Sequence, residues 1–261
     1  MELRVRPFAV ITGASRGIGA EYARALAAQG YDLLLIARDA ARMDQLAAEL
    51  SGRHRIAVEC EVLDLAEPEA AHRLFAAART RRQAVDLLVN NAGFGLFGEF
   101  VDLPMARIQA MLRLHVNTVV ESIRLFLPDM VERRSGAIIN VASTAGFMPV
   151  AYIAEYAATK AFLITFSEAL AEEVRSSGIR VQVCCPGPTV TDFHHTAGLR
   201  PNSPFKAQSA AEVAAVSLAA LDPGPTMVTT NWSGTLTAWL SRCTPRTILA
   251  RKAAQWMRRP R

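Results

Sequence analysis

Lysine is almost missing from this 261-residue chain: of 29 basic residues only Lys160, Lys206 and Lys252 are lysines. Long apolar runs are missing too. None approaches the roughly 18 residues of a membrane-spanning helix, although a hydrophobic content of 51% excludes a disordered chain. Near the N-terminus only residues 8–11 form an apolar block, too short for a secretory signal. Cysteine is scarce. Cys60, Cys184, Cys185 and Cys243 lack metal-ligand spacing, which argues against a zinc module or a disulfide scaffold. Reduced, buried thiols and a cytoplasmic location are the expectation. Acidic residues stop at Asp222. No repeat, linker or low-complexity segment divides the chain, so one domain spanning 1–261 is expected.

Against that background Lys160 is informative. It stands four residues after Tyr156, and on a helix the two share one face. A nearby ammonium favours phenolate, so Lys160 is expected to lower the proton affinity of Tyr156. Arginine cannot supply a compact, tunable cation. Ser143 follows an apolar run at 137–141 and can reach the same spot from a neighbouring strand. Alone, the Tyr156–Lys160 spacing also fits a core aromatic beside a solvated helix residue.

The rest of the chain alternates. An apolar run (8–12) leads into a turn containing Gly13, Ser15, Arg16, Gly17, Ile18 and Gly19, then a helical pattern to Gln29. Strand, glycine-rich turn and helix together form a cradle for pyrophosphate. A second strand (32–38) ends in Arg38. At that position an acid accepts from the 2′-hydroxyl of NAD, whereas arginine suits the 2′-phosphate of NADP. Arg38 and Arg16 therefore predict NADP(H), with Asp39 as a helix N-cap. Helical patterns at 41–50, 68–80, 103–133, 152–176 and 209–221 alternate with strand patterns at 56–62, 85–89, 137–141, 180–185 and 226–230. This predicts an α/β fold with a doubly wound parallel sheet in three αβα layers, its ligand at the strand carboxyl ends.

Taken together, these motifs resemble the short-chain dehydrogenase/reductase family in its short, single-domain, Rossmann-type branch. The resemblance covers about residues 8–191. The segment from Thr12 to Gly19 looks like the family's cofactor motif, and Asp64-Leu65 like its adenine-contacting pair. Asn90, Asn91, Ala92 and Gly93 resemble the motif that stabilises the sheet beside the cofactor. Pro186, Gly187 and Thr191 resemble the segment on the nicotinamide side. Asn117, Ser143, Tyr156 and Lys160 match a catalytic tetrad. The implied chemistry is hydride transfer between nicotinamide and a substrate carbon, with Tyr156 moving the proton on oxygen. Lys160 would also hold the nicotinamide ribose, Ser143 the substrate oxygen, and Asn117 a relaying water. Asn117 alone reads as an ordinary helix-interior polar residue.

An apolar set (Phe94, Leu96, Phe97, Phe147, Met148, Pro149 and Pro188) predicts a hydrophobic ketone or secondary alcohol, the range of a carbonyl reductase. Each could equally be core. A non-catalytic dinucleotide-binding regulator is the alternative; sugar-nucleotide epimerisation usually needs a longer substrate domain. Residues 192–206 read as a substrate lid, and His194-His195 as loop residues without a third metal ligand. No metal is expected. The segment 242–261 carries Arg242, Arg246, Arg251, Lys252, Arg258, Arg259 and Arg261, more positive charge than the net +5 of the whole chain. It predicts a basic amphipathic helix over 248–259 that packs on protein or rests on anionic membrane, making the protein peripheral to it. Nucleic acid is excluded, because nothing else extends the basic patch. A homo-oligomer, dimer or tetramer, is expected.

Overall fold

Short apolar runs that bury both faces, separated by amphipathic stretches, can satisfy their backbone only as a parallel sheet covered on both sides. The computed structural model, which describes residues 6–191 and 207–257, has that form. Its first half runs β1 (Phe8–Thr12), α1 (Gly17–Ala28), β2 (Asp32–Ala37), α2 (Ala40–His54), β3 (Val58–Val62), α3 (Ala70–Arg81) and β4 (Leu87–Asn90). Then come α4 (Met105–Leu112), α5 (Thr118–Arg133), β5 (Gly136–Val141), α6 (Ala154–Val174) and β6 (Ile179–Cys185). A short pair, β7 (Thr189–Val190) and β8 (Gln208–Ser209), precedes α7 (Ala210–Ala219) and β9 (Met227–Thr229). Two helices follow, α8 (Trp232–Cys243) and α9 (Arg246–Met257).

Seven strands make one parallel sheet in the order β3-β2-β1-β4-β5-β6-β9. The order reverses between β1 and β4, which opens a crevice at their carboxyl ends. Alternate residues of the central strands feed two cores. Val10, Leu34 and Ile138 pack with Leu74, Ile123 and Leu163 on the α3–α5–α6 side. Ala9, Ile11 and Leu35 pack with Tyr22, Met43 and Val213 on the α1–α2–α7 side.

Two elements depart from the sequence reading. The helix expected over 103–133 is interrupted by a wide turn at Arg113–Asn117, closed by the Thr118 N–H donating to the Arg113 carbonyl five residues back. Helix α8 was not expected. Asn231 caps it by accepting from the Gly234 N–H at 2.8 Å, and only its small residues Ser233, Gly234 and Ala238 are buried. The basic helix is present as α9, two residues earlier than expected. The cysteines differ in part: Cys184 and Cys185 are buried, Cys60 is half-buried and Cys243 is exposed.

Candidate active site

The glycine turn is built for close approach. Gly13 and Gly17 have φ of +67° and +58°, values that disfavour residues with a Cβ. A Cβ on Gly13 would lie 2.8 Å from the Ala92 Cα, and one on Gly19 would collide with the Gly13 carbonyl. Asn91 fastens the turn to the end of β4. Its amide donates to the carbonyls of Thr12 (2.9 Å) and Gly13 (3.2 Å). The Thr12 hydroxyl accepts from the N–H groups of Asn91 (2.9 Å) and Ala92 (3.1 Å). Asn90 lies outside the cleft lining, in the sheet-stabilising half of the role that the resemblance gives it. It is buried and donates to Asn140 at 2.9 Å, and Asn140 donates to Ser167 at 2.9 Å, tying β4 to β5 and α6. Helix α1 begins just beyond the turn without a side-chain cap. A tight glycine cradle ahead of such a helix end fits a pyrophosphate.

A cleft of about 2120 Å³ runs from this turn across the sheet. At one end lie Ser15, Arg16, Gly17, Ile18, Arg38, Asp64 and Leu65. The Arg38 guanidinium meets Asp64 at 3.3 Å and stays 71% exposed. Asp39 is the expected N-cap, accepting from the Arg42 N–H at 3.1 Å. Arg42 also lines this end, a third guanidinium that the sequence reading passed over. Ala92, Gly93, Pro186, Gly187 and Thr191 also line the cleft, Thr191 lying beside Gly17. Gly19 lies beneath the turn rather than in the lining.

Ser143, Tyr156 and Lys160 come together at the other end. Ser143 hydrogen-bonds Tyr156 and accepts from the Ala145 N–H at 3.1 Å. The Lys160 ammonium donates to the Val141 carbonyl at 2.7 Å and sits 5.7 Å from the centre of the Tyr156 ring. The expected lowering of the phenol is reversed. Burial pushes Tyr156 up to about 12, opposed only by the Ser143 hydrogen bond, and pushes Lys160 down to about 8. Desolvation penalises both charged forms and outweighs the opposing influence of Ser143 on Tyr156 and of Cys185 on Lys160.

Asn117 is not brought to this group. It is exposed at the end of the wide turn and lies outside the cleft lining. The turn presents His115 instead, buried and edge-on to the Tyr156 ring with centroids 5.8 Å apart. Its Nε2 accepts from the Phe94 N–H at 3.1 Å, which assigns the proton to Nδ1. Nδ1–H then donates to the Thr159 hydroxyl at 3.0 Å, and that hydroxyl donates to the Tyr156 carbonyl at 2.8 Å. Burial, then the Lys160 charge, holds His115 well below its ordinary value, so it is neutral. The signal for His115 in the sequence is only its place two residues before Asn117.

Phe94, Phe97, Met148 and Pro188 line the cleft as expected. Leu96 and Phe147 turn into apolar clusters, and Pro149 is absent from the lining. Helix α9 closes one side with Ala253, Trp256 and Met257; Ala253 and Met257 pack on Val150, Ile153 and Ala157. The residues expected as a lid (192–206), with His194 and His195, lie outside the described residues, as do Arg258, Arg259 and Arg261. Among the described residues no helix is long and apolar enough to cross a membrane.

Residues 7–202 match the family described as short chain dehydrogenase, and with this sheet and cleft the chain belongs to that family of oxidoreductases. Among its relatives is the ketoacyl reductase HetN of Nostoc sp., 36% identical over 68% of this chain and 62% of that protein. The very-long-chain 3-oxoacyl-CoA reductase of Homo sapiens is 34% identical over 69% of this chain and 58% of its own length. A short-chain dehydrogenase from Sphingobium yanoikuyae, solved in complex with NADPH, superposes with a TM-score of 0.83 at 32% identity, covering 91% of this chain and 93% of that one. The bulky-bulky ketone specific alcohol dehydrogenase from Comamonas testosteroni gives 0.77 at 28% identity over the same shares.

Proposed function

We propose that the chain is an NADP(H)-dependent oxidoreductase acting on a hydrophobic ketone or the matching secondary alcohol. The observation that carries this reading is one cleft holding the glycine cradle and Arg38 at one end and Ser143, Tyr156 and Lys160 at the other. The bound nicotinamide supplies or accepts a hydride. Tyr156 gives the proton to the substrate oxygen in reduction and takes it in oxidation. Ser143 donates to that oxygen as charge grows on it. Lys160, a cation below about pH 8, holds the cofactor ribose and offsets charge on the phenol oxygen. His115 acts by positioning: it joins the Phe94 amide to the Tyr156 backbone and takes over the place that the resemblance gave to asparagine. Ser15, Arg16, Arg38 and Arg42 favour a phosphorylated adenosine end.

Phe94, Phe97, Met148 and Val150 support an apolar substrate. The 3-oxoacyl relatives make a long-chain 3-oxoacyl thioester a member of that class worth testing. A non-catalytic regulator would have no use for Tyr156 and Lys160 together. The exposed Phe162, stacked on Phe166 at 5.6 Å on α6, supports a second copy of the chain as a partner. The basic segment 242–261 supports peripheral contact with anionic lipid.

The test is a panel of apolar ketones, alcohols and 3-oxoacyl thioesters, followed by cofactor absorbance with NADPH and NADH. Turnover with NADPH is expected, and it should vanish in Tyr156→Phe while NADPH still binds. Wild-type rates in that variant would remove Tyr156 from the reaction.

A further inference from the structure

Helix α8 is inside out. An ordinary surface helix turns its large apolar residues inward and its polar ones to water. Here the buried face is Ser233, Gly234 and Ala238. The outward face carries Trp232, Leu236, Trp239 and Leu240, which are 73%, 40%, 61% and 43% exposed. Their spacing of four, three and one residues forms a single stripe. Small inward residues let the helix lie close to the body, with Gly234 near Thr144 and Thr229. Ile248 and Trp256 of α9 are 48% and 55% exposed. An exposed apolar stripe such as the one on α8 marks an interaction site.

The charge around the stripe selects its occupant. Arg242, Arg246, Arg251 and Lys252 are all exposed, and no acid follows Asp222. A two-fold contact with a second copy through this face would bring the like-charged residues of α8 and α9 towards each other. An anionic bilayer offers the opposite charge, and the interface between headgroups and acyl chains is where tryptophan is enriched.

We propose that the outward face of α8, together with the exposed basic residues that follow on α8 and α9, docks on an anionic lipid bilayer. This rests on the reading that the C-terminal segment meets lipid. It moves the inserted surface from α9, whose Ala253 and Met257 are taken up by the body, to α8. The other faces of these two helices (Ser233, Gly234, Thr237, Trp256 and Met257) line the cleft. Docking therefore lays one wall of the cleft against the membrane, from which an apolar substrate can enter.

Two of the chain's three tryptophans, Trp232 and Trp239, lie on the α8 stripe, so tryptophan emission reports on this surface, with Trp256 of the cleft wall as background. The experiment uses full-length protein with phosphatidylglycerol/phosphatidylcholine vesicles and with phosphatidylcholine vesicles alone, at low salt. Co-sedimentation and a blue shift are expected with the anionic vesicles only, reversed by about 0.5 M salt. Substituting both Trp232→Ser and Trp239→Ser should weaken binding at least about tenfold while leaving NADPH affinity unchanged. Wild-type binding by that double variant would overturn the α8 face. If replacing Arg242, Arg246, Arg251 and Lys252 with glutamine then abolishes binding, the charge-driven reading of the segment survives and only its α8 form fails. Conversion of a dimer to a monomer by the double variant, with no vesicle binding by the wild type, would assign the face to a second copy and overturn both.

Discussion

Tyr156 and Lys160 are shifted in opposite directions by one cause, the loss of water around them. The sign of the consequence is fixed by which form burial disfavours. Lys160 is charged below about 8 and loses its proton above it. NADPH affinity of the free protein should therefore stay level up to about pH 8 and fall beyond, as a fluorescence titration across pH can read. Lys160→Arg keeps the charge at high pH, but its bulkier fork cannot sit at the Val141 carbonyl in the same way, so turnover should be lost at every pH. His115→Ala leaves the Phe94 N–H without its acceptor, at a cost of about 1–3 kcal/mol. It should lower kcat far more than it raises the KM for NADPH, and His115→Asn should recover part of the loss. Nitrogen NMR of the wild type should show the proton on Nδ1. At the adenosine end, Arg38→Asp should weaken NADPH relative to NADH by about tenfold or more, since a charge-assisted contact is replaced by repulsion. Equal wild-type affinity for the two cofactors would end that argument.

At the scale of elements, the strands and the glycine turn were legible because apolar runs and fixed glycine positions leave little choice. Gly19→Ala tests the turn. Its new methyl would strike the Gly13 carbonyl, a backbone atom that cannot step aside. A loss of about 1–3 kcal/mol in stability is expected, with weaker cofactor binding, measured by thermal melting with and without NADPH. The wide turn at Arg113–Asn117 was not legible, because ordinary helical patterning continues on both sides of it. A turn closed five residues back slips the helical phase, so His115 faces inward while Asn117 meets solvent. Motif spacing alone could not show which polar residue of this turn lies beside Tyr156. Helix α8 was obscured for a different reason: Trp232, Leu236, Trp239 and Leu240 do stand at helical spacing, but the residues among them, Ser233, Gly234, Thr235 and Thr237, are weak helix formers.

For the whole molecule, the burial of cationic and phenolic groups could not be read from spacing, because it depends on walls contributed by distant segments. One such wall is α9, which packs against Val150, Ile153 and Ala157. Ending the chain at Thr244 should leave NADPH affinity nearly intact but raise the KM for apolar substrates several-fold. Burying the α9 contact is worth about 1–3 kcal/mol, so the melting temperature should fall as well. The cleft thus joins the earliest and the latest described parts of the chain, the turn at Gly13–Gly19 and the helix Arg246–Met257. During synthesis, a ribosome that has delivered everything through β9 has already made the cofactor cradle, Tyr156 and Lys160, but not the side wall of the cleft. A nascent chain paused there would hold Tyr156 and Lys160 more open to water than the walled cleft does.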